Sequence, residues 1–268
     1  MVDKDYKRLF QQLAEISVRA GDEIMKIYSG NFDFDMKEDD SPVTDADRAA
    51  HDIISEALEV LEFDGALIPV LSEEGDDIAF EERKHWERYW LIDPLDGTKE
   101  FISRNGEFTV NIAIISGNKP ILGIVYLPVK DKIYYGGAGL GAYKASGRDC
   151  ALSYAEILPI KTGRNPDILV AAGSRSHRTP DFDLWVESEA KRRGCSRVEV
   201  LTAGSSLKLC LAAEGKVDVC PRFGPTMEWD TAAAHAIVEG AGKKCTRPDG
   251  GRLIYNKPVM RNDGFIVS

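Results

Sequence analysis

Apolar side chains recur at three- and four-residue steps from the start of the chain, at Leu9, Leu13, Ile16, Ala20, Ile24 and Ile27. At 3.6 residues per turn these positions share one face, so the spacing predicts a long amphipathic helix over residues 4–29, ended by Gly30. A polar stretch, residues 33–41, separates it from a second helical stripe of Ala50, Ile53, Ile54, Ala57 and Leu58, which Thr44 or Asp45 can cap. Two such helices are expected to cover one face of a sheet.

After residue 65 the period changes. Short apolar runs at 66–71, 89–92, 108–115, 121–127, 133–135 and 142–145 are punctuated by Gly117-Asn118, Gly136-Gly137 and the glycines at 139 and 141. These read as hairpin-linked strands of an antiparallel or mixed sheet. Beyond Pro159 strand and helix patterns alternate: strands at 168–172, 198–201 and 217–220, helices near 181–193, 205–214 and 230–239. Such alternation predicts an α/β layer. With no repeat, low-complexity tract or flexible linker between them, two halves, 1–158 and 159–268, are expected to pack as one unit.

Composition narrows the class. A chain of 268 residues with 43% hydrophobic content can bury a substantial core. No apolar run approaches the roughly 20 residues that span a bilayer, and the first ten residues are too charged for a signal-peptide core. A cytoplasmic location is therefore expected, with contact at the inner face of a membrane left as an alternative. The five cysteines, Cys150, Cys195, Cys210, Cys220 and Cys245, form no CxxC pair, which speaks against a disulfide framework or structural zinc. A net charge of −10 speaks against binding a nucleic-acid duplex, and nothing indicates an obligate protein partner. The charge is unevenly spread: residues 1–100 hold 27 acids against 11 bases, and residues 101–268 hold 17 against 23. An acidic half can hold cations while a basic half holds an anion, although uneven surface charge alone gives the same counts.

The most informative segment is Trp90-Leu91-Ile92-Asp93-Pro94-Leu95-Asp96-Gly97-Thr98, an apolar strand running into two carboxylates. Hard divalent cations take several oxygen ligands, which Asp93, Asp96 and the Leu95 carbonyl can supply together. Gly97 and Thr98 would open a helix whose free N–H groups suit a phosphate. A plain Asp-Gly turn with an Asx cap is the alternative. A second apolar run ends in Ser72-Glu73-Glu74-Gly75, and acids at neighbouring strand ends repel unless cations sit between them. A third piece, Glu228-Trp229-Asp230-Thr231, starts an alanine-rich helix, where Asp230 also suits a simple cap.

In order along the chain, Val43-Thr44-Asp45-Ala46-Asp47, Leu71-Ser72-Glu73-Glu74, Asp93-Pro94-Leu95-Asp96-Gly97-Thr98 and Trp229-Asp230-Thr231-Ala232-Ala233 resemble the lithium-sensitive, magnesium-dependent phosphatase superfamily of inositol monophosphatase. The resemblance implies a mixed α/β (α+β) fold, the layered αβαβα sandwich of the inositol monophosphatase and fructose-1,6-bisphosphatase type. It implies two or three Mg2+ ions held by Glu73, Asp93, Asp96, Asp230 and the Leu95 carbonyl. Asp47 and Thr98 would orient the attacking water, with Glu74 in the same catalytic set. Phosphate monoester hydrolysis is among the slowest uncatalysed reactions, and clustered metals answer its two needs, a stronger nucleophile and a stabilised leaving oxygen.

Within that superfamily, Thr98-Lys99-Glu100-Phe101 is similar to the CysQ-type 3'(2'),5'-bisphosphate nucleotidases. So are Gly173-Ser174-Arg175-Ser176-His177, Gly204-Ser205-Ser206-Leu207-Lys208 and Pro221-Arg222-Phe223-Gly224-Pro225-Thr226. The resemblance implies a small anionic nucleotide as substrate, 3'-phosphoadenosine 5'-phosphate, converted to AMP and phosphate. Its reacting phosphate would meet Gly97, Thr98, Lys99 and Asp230. Ser205, Lys208 and Arg222 would grip the 5'-phosphate, and His177 would lie beside the nucleotide. A second phosphate needs its own cationic clamp, which a phosphorylated polyol does not. In this scheme residues 1–158 bind metal and phosphate, while 159–268 complete the metal site and contact the nucleotide. A polyol phosphatase and a catalytically silent nucleotide sensor are the competing readings; fructose-1,6-bisphosphatase is a weaker one. Glu228, an acid beside the tryptophan, is expected to disturb ribose recognition.

Overall fold

The computed structural model describes residues 4–36, 42–159, 165–175 and 178–268. The first apolar stripe forms helix α1 (Lys4–Ser29), with Leu13, Ala14, Ala20 and Ile24 completely buried along it. A short antiparallel pair, β1 (Phe34–Met36) with β2 (Pro42–Thr44), leads into α2 (Asp45–Glu59). Phe34, Asp35 and Met36 are all exposed, so β1 carries no in-out alternation by which periodicity could reveal it. Thr44 is the cap of α2: its hydroxyl accepts the Ala46 N–H at 3.1 Å, while Asp47 accepts the Thr44 N–H at 2.7 Å. That reciprocal exchange is a capping box.

Next come β3 (Val70–Ser72), the single-turn α3 (Phe80–Arg83), β4 (Arg88–Asp96) and the short α4 (Thr98–Ile102). They are followed by β5 (Thr109–Ser116), β6 (Lys119–Leu127), β7 (Lys132–Gly137), β8 (Gly141–Ser146) and β9 (Glu156–Leu158). The strands β3 to β9 form a seven-stranded sheet in sequence order. The β3–β4 pair is parallel and each later neighbour antiparallel, so the sheet is mixed. β3 is shorter than the apolar run 66–71, because Ala66 bridges back to Phe63 across the turn at Asp64-Gly65.

Beyond residue 165 the chain alternates as expected: β10 (Ile168–Ser174), α5 (Pro180–Arg193), β11 (Arg197–Ala203), α6 (Leu207–Glu214), β12 (Cys220–Arg222), β13 (Thr226–Met227) and α7 (Glu228–Gly240). Three short strands, β14 (Cys245–Thr246), β15 (Arg261–Asn262) and β16 (Phe265–Val267), finish it. β10 and β11 are parallel, Ala171 bridges to Val219 just before β12, and β16 pairs with both β12 and β14. Residues 217–219 thus run beside β10, joined by backbone hydrogen bonds of Asp218 and Val219 with Val170 and Ala172, and the strand itself starts at Cys220.

The layers follow from which faces are apolar. Trp90, Ile92, Ile112, Ile114, Leu122 and Ile124 point from the main sheet onto α1 and α2. On its other face Leu91, Ala113, Ile115 and Val125 meet α6 and α7. A sheet covered on both sides explains why β4 to β6 read as nearly continuous apolar runs. The same two helices pack against the second group of strands, whose outer face carries α5 through Phe182, Val186 and Ala190. The order is helix, sheet, helix, sheet, helix, the expected αβαβα sandwich. Among the described residues no helix is long and apolar enough to cross a membrane.

The alanine-rich α7 comes unusually close to the main sheet. A Cβ at Gly123 of β6 would lie 2.1 Å from the Ala233 carbonyl oxygen, so glycine there is what allows the approach.

Candidate active site

β3 and β4 run parallel in a register that sets Ser72 beside Ile92, so the next residues, Glu73 and Asp93, leave the sheet side by side. The Glu73 N–H donates to the Ile92 carbonyl at 3.2 Å and holds that exit. Asp230, third residue of α7, approaches from the helix layer. Carboxylate oxygens of Glu73, Asp93 and Asp230 lie within 4.8 Å of one another. Asp93 accepts the Leu95 N–H at 3.1 Å and Asp230 the Met227 N–H at 2.9 Å, each through one oxygen. Burial, and then the charges of Glu73, Asp96 and Asp230, push the Asp93 carboxyl well above its usual range. Burial, then Asp96 and Glu73, do the same to Asp230. The three converging acids, two of which, Asp93 and Asp230, resist ionisation, form an all-oxygen donor set, and a hard divalent cation relieves their repulsion. On that chemistry these residues fit a divalent metal ion.

Asp96 stands outside this focus. The β4–β5 register shifts between Asp93 and Asp96, and this irregularity across Pro94-Leu95 turns Asp96 to a separate set of donors. Its Oδ2 accepts the Ser206 N–H at 2.6 Å, with the Thr109 hydroxyl and Asn111 amide each at 3.4 Å. Burial raises its pKa, and nearby Lys208 works against that rise. The Ser206 hydroxyl also donates to the Asp230 carbonyl, so one residue ties Asp96 to the start of α7. Sequence reasoning missed Ser206, Thr109 and Asn111. The available signal was Asn111, a polar side chain inside the apolar run 108–115.

Asp47 and Thr98, 51 residues apart, meet: the Thr98 hydroxyl donates to Asp47 Oδ1 at 3.1 Å. Asp47 Oδ2 accepts the Thr44 N–H and the Thr44 hydroxyl, the latter at 2.6 Å, so the capping box of α2 fixes this carboxylate. Burial raises the Asp47 pKa, and the charge of Glu74 adds to the rise. The Leu95 carbonyl is 3.5 Å from the Thr98 hydroxyl. Glu74 is half-buried in the turn after β3 and is not among the residues lining the cleft.

Gly97 caps α4 with φ of 94°, and Ser205, ahead of α6, has φ of 44°. A Cβ on Gly97 would come within 3.3 Å of the Ser205 Cβ, so the two helix starts are apposed. With Asp47 at the start of α2 and Asp230 at the start of α7, four helix N-termini carry the site residues, and their partial positive charge favours bound anions.

A cleft of about 280 Å3 joins these pieces. Glu73, Asp93, Leu95, Asp96, Gly97, Thr98, Lys99, Ser205, Lys208, Arg222 and Asp230 all line it. Lys208 is 9% exposed, its ammonium donates to the Ser205 carbonyl at 2.7 Å, and burial lowers its pKa. Arg222 donates to the Pro225 carbonyl at 3.1 Å, and its buried Nε has no hydrogen-bond partner among the described residues. Lys99 is exposed at the rim. His177 lies outside the described residues. The expectation for Glu228 is corrected: it is fully buried, and its carboxylate points to the backbone N–H groups of Asn256 and Lys257, away from the cleft.

Comparison with known proteins agrees with this architecture. The model of the inositol monophosphatase family matches residues 5–267. The chain is 44% identical over 263 residues to the 3'(2'),5'-bisphosphate nucleotidase CysQ of Salmonella typhimurium, covering 97% of this chain and 99% of that protein. It is 36% identical to the CysQ of Buchnera aphidicola, covering 100% and 96%. The crystal structure of CysQ from Bacteroides thetaiotaomicron superimposes with a TM-score of 0.85 at 40% identity, over 98% of this chain and 97% of that one.

Proposed function

Because the chain belongs to the inositol monophosphatase family, we propose that it is a magnesium-dependent 3'(2'),5'-bisphosphate nucleotidase that converts 3'-phosphoadenosine 5'-phosphate to AMP and phosphate. One observation carries the reading: a single cleft holds both a focus of three acids and two cationic side chains, the buried Lys208 and the half-buried Arg222. A bisphosphate has one phosphate for each. The near-full-length likeness to proteins named as bisphosphate nucleotidases supports the same substrate.

In this mechanism Glu73, Asp93 and Asp230, with Asp96 and the Leu95 carbonyl, hold two or three Mg2+ ions. When bound, magnesium supplies the positive charge that makes water a better nucleophile and stabilises the departing ribose oxygen. Thr98 spends its hydroxyl hydrogen on Asp47, which leaves its oxygen lone pairs to accept a hydrogen bond from the attacking water. Asp47, its pKa raised by burial, is suited to take up proton density passed along this pair. The N–H groups of Gly97 and Thr98 bind oxygens of the reacting phosphate, with Lys99 at the rim. Lys208, Arg222 and Ser205 bind the 5'-phosphate, and His177 sits near the nucleotide. Residues 1–158 supply most of the metal and water-orienting groups, and 159–268 add Asp230 and the second clamp. The small anionic substrate fits a cytoplasmic enzyme, and lithium is expected to inhibit it.

The test is a phosphate-release panel with magnesium, comparing 3'-phosphoadenosine 5'-phosphate with inositol monophosphate and fructose 1,6-bisphosphate. The adenosine bisphosphate should be the fastest; faster release from inositol monophosphate overturns the substrate and keeps the class. Asp47→Asn should lower kcat by about 10²–10⁴ while AMP binding stays measurable, the range for a lost proton-handling group. An unaltered protein that binds the nucleotide without turnover would favour a sensor.

A further inference from the structure

We propose that Glu228, with Lys257 and Asn262, is a positioning device for Asp230, a buried ionic clamp that holds the first turn of α7 where Asp230 can ligate a cation. The inference rests on the reading of Glu73, Asp93 and Asp230 as metal ligands.

Glu228 opens α7 and is 0% exposed. A buried carboxylate is costly unless paired, so its partners are informative. A glutamate in a first helical turn ordinarily faces its own helix's free N–H groups, or solvent. Glu228 instead reaches another segment: it accepts the Asn256 N–H at 2.7 Å and the Lys257 N–H at 3.0 Å, and it forms an ion pair with the Lys257 ammonium at 2.8 Å. Its own N–H donates to the Met260 carbonyl at 2.8 Å.

The Lys257 ammonium pairs with Glu228 and donates to the Ile254 carbonyl at 2.9 Å and to Asn262 Oδ1 at 2.9 Å. That last bond fixes which way the Asn262 amide faces. Its Nδ2 therefore points at the start of α7, 3.1 Å from the Met227 carbonyl and 3.2 Å from the Thr231 hydroxyl. Residues on both sides of Asp230 are thus tied down, and Asp230 itself accepts the Met227 N–H.

Arg83 anchors the far end of the clamp. It is 2% exposed and donates to Asn256 Oδ1 at 2.8 Å and to the Lys257 carbonyl at 2.7 Å, while the Asn256 amide returns a bond to the Arg83 carbonyl at 2.9 Å. Arg83 ends α3, the helix that follows the Glu73 turn. The clamp therefore joins the chain segment carrying Glu73 to the one carrying Asp230.

The probe is Mn2+ alone, titrated into the protein with free ion followed by electron paramagnetic resonance, alongside melting temperature. Glu228→Gln should weaken Mn2+ binding at least tenfold, within the roughly 10–100-fold range for residues that orient metal ligands. Lys144→Met removes one partner of another buried acid, Glu214 at the far end of α6, which keeps Lys216 and the Tyr134 hydroxyl. It should lower the melting temperature and leave Mn2+ affinity within about twofold of the unaltered protein, the separation expected of a merely structural pair. Since Glu228→Gln strands the Lys257 ammonium, the double variant Glu228→Gln/Lys257→Met is measured as well. It should regain melting temperature without regaining affinity. Unchanged Mn2+ affinity in a folded Glu228 variant, or recovery of affinity together with stability in the double variant, overturns the clamp alone. Failure of the unaltered protein to bind Mn2+ overturns the metal reading and the clamp with it.

Discussion

Asp93 is 1% exposed and faces the charges of Glu73, Asp96 and Asp230, so without a cation it keeps its proton well above the usual carboxylate range. Asp230 behaves alike. A carboxyl whose folded pKa exceeds its unfolded value, near 3.8 here, stabilises the fold fully below that unfolded value. It gives up that stability as pH rises through the folded pKa, because the unfolded chain then binds fewer protons than the folded one. The cation-free protein is therefore expected to lose stability from these two groups as pH rises above about 4. A bound magnesium ion would replace the lost protons, so its stabilising effect should grow over the same rise. At a hundredfold excess over Kd a bound ligand adds about 2.7 kcal/mol, enough to raise the melting temperature by several degrees. Thermal melts at pH 5, 6.5 and 8 with and without Mg2+ check this; an increment that shrinks with rising pH contradicts it.

The elements that carry these residues were legible to different degrees, for local reasons. α1 and α2 follow from a clean apolar stripe, and the strand-end acids from runs that stop abruptly at Glu73 and Asp93. The exposed β1 and the two-residue strands β13 to β15 have too few residues for a period to register. α7 begins at Glu228, two residues before the expected Asp230, since its first residues are held by the 254–262 segment while Asp230 reaches back to the Met227 N–H. Its depth against the sheet is set by Gly123, whose hydrogen faces the Ala233 carbonyl. Gly123→Ala would force α7 outward and carry Asp230 with it. Overpacking of this kind costs about 1–3 kcal/mol, and urea denaturation should read that loss. The same variant should need more Mg2+ for half-maximal activity; an unchanged Mg2+ requirement would separate helix depth from ligand position.

At the scale of the whole molecule, the uneven charge has a structural meaning. The first 100 residues, with 27 acids against 11 bases, contribute Glu73, Asp93 and Asp96, and the more basic remainder contributes Lys208 and Arg222, together with Asp230, to the same cleft. The cleft draws on the main sheet, on the helix layer and on β12, which is why no single segment spells it out. Ordered motifs made the acids and the Asp47–Thr98 pair readable. The Arg83 to Asn256 bond, between residues 173 apart, leaves no mark on local sequence, so neither the clamp behind Asp230 nor the burial of Glu228 away from the cleft is legible there. If acids from three distant stretches gather cations at one point, crystals grown with Mn2+ should show anomalous density bounded by Glu73, Asp93 and Asp230, weakened or lost in Asp93→Asn. Well-ordered carboxylates with no density between them would rule out that gathering.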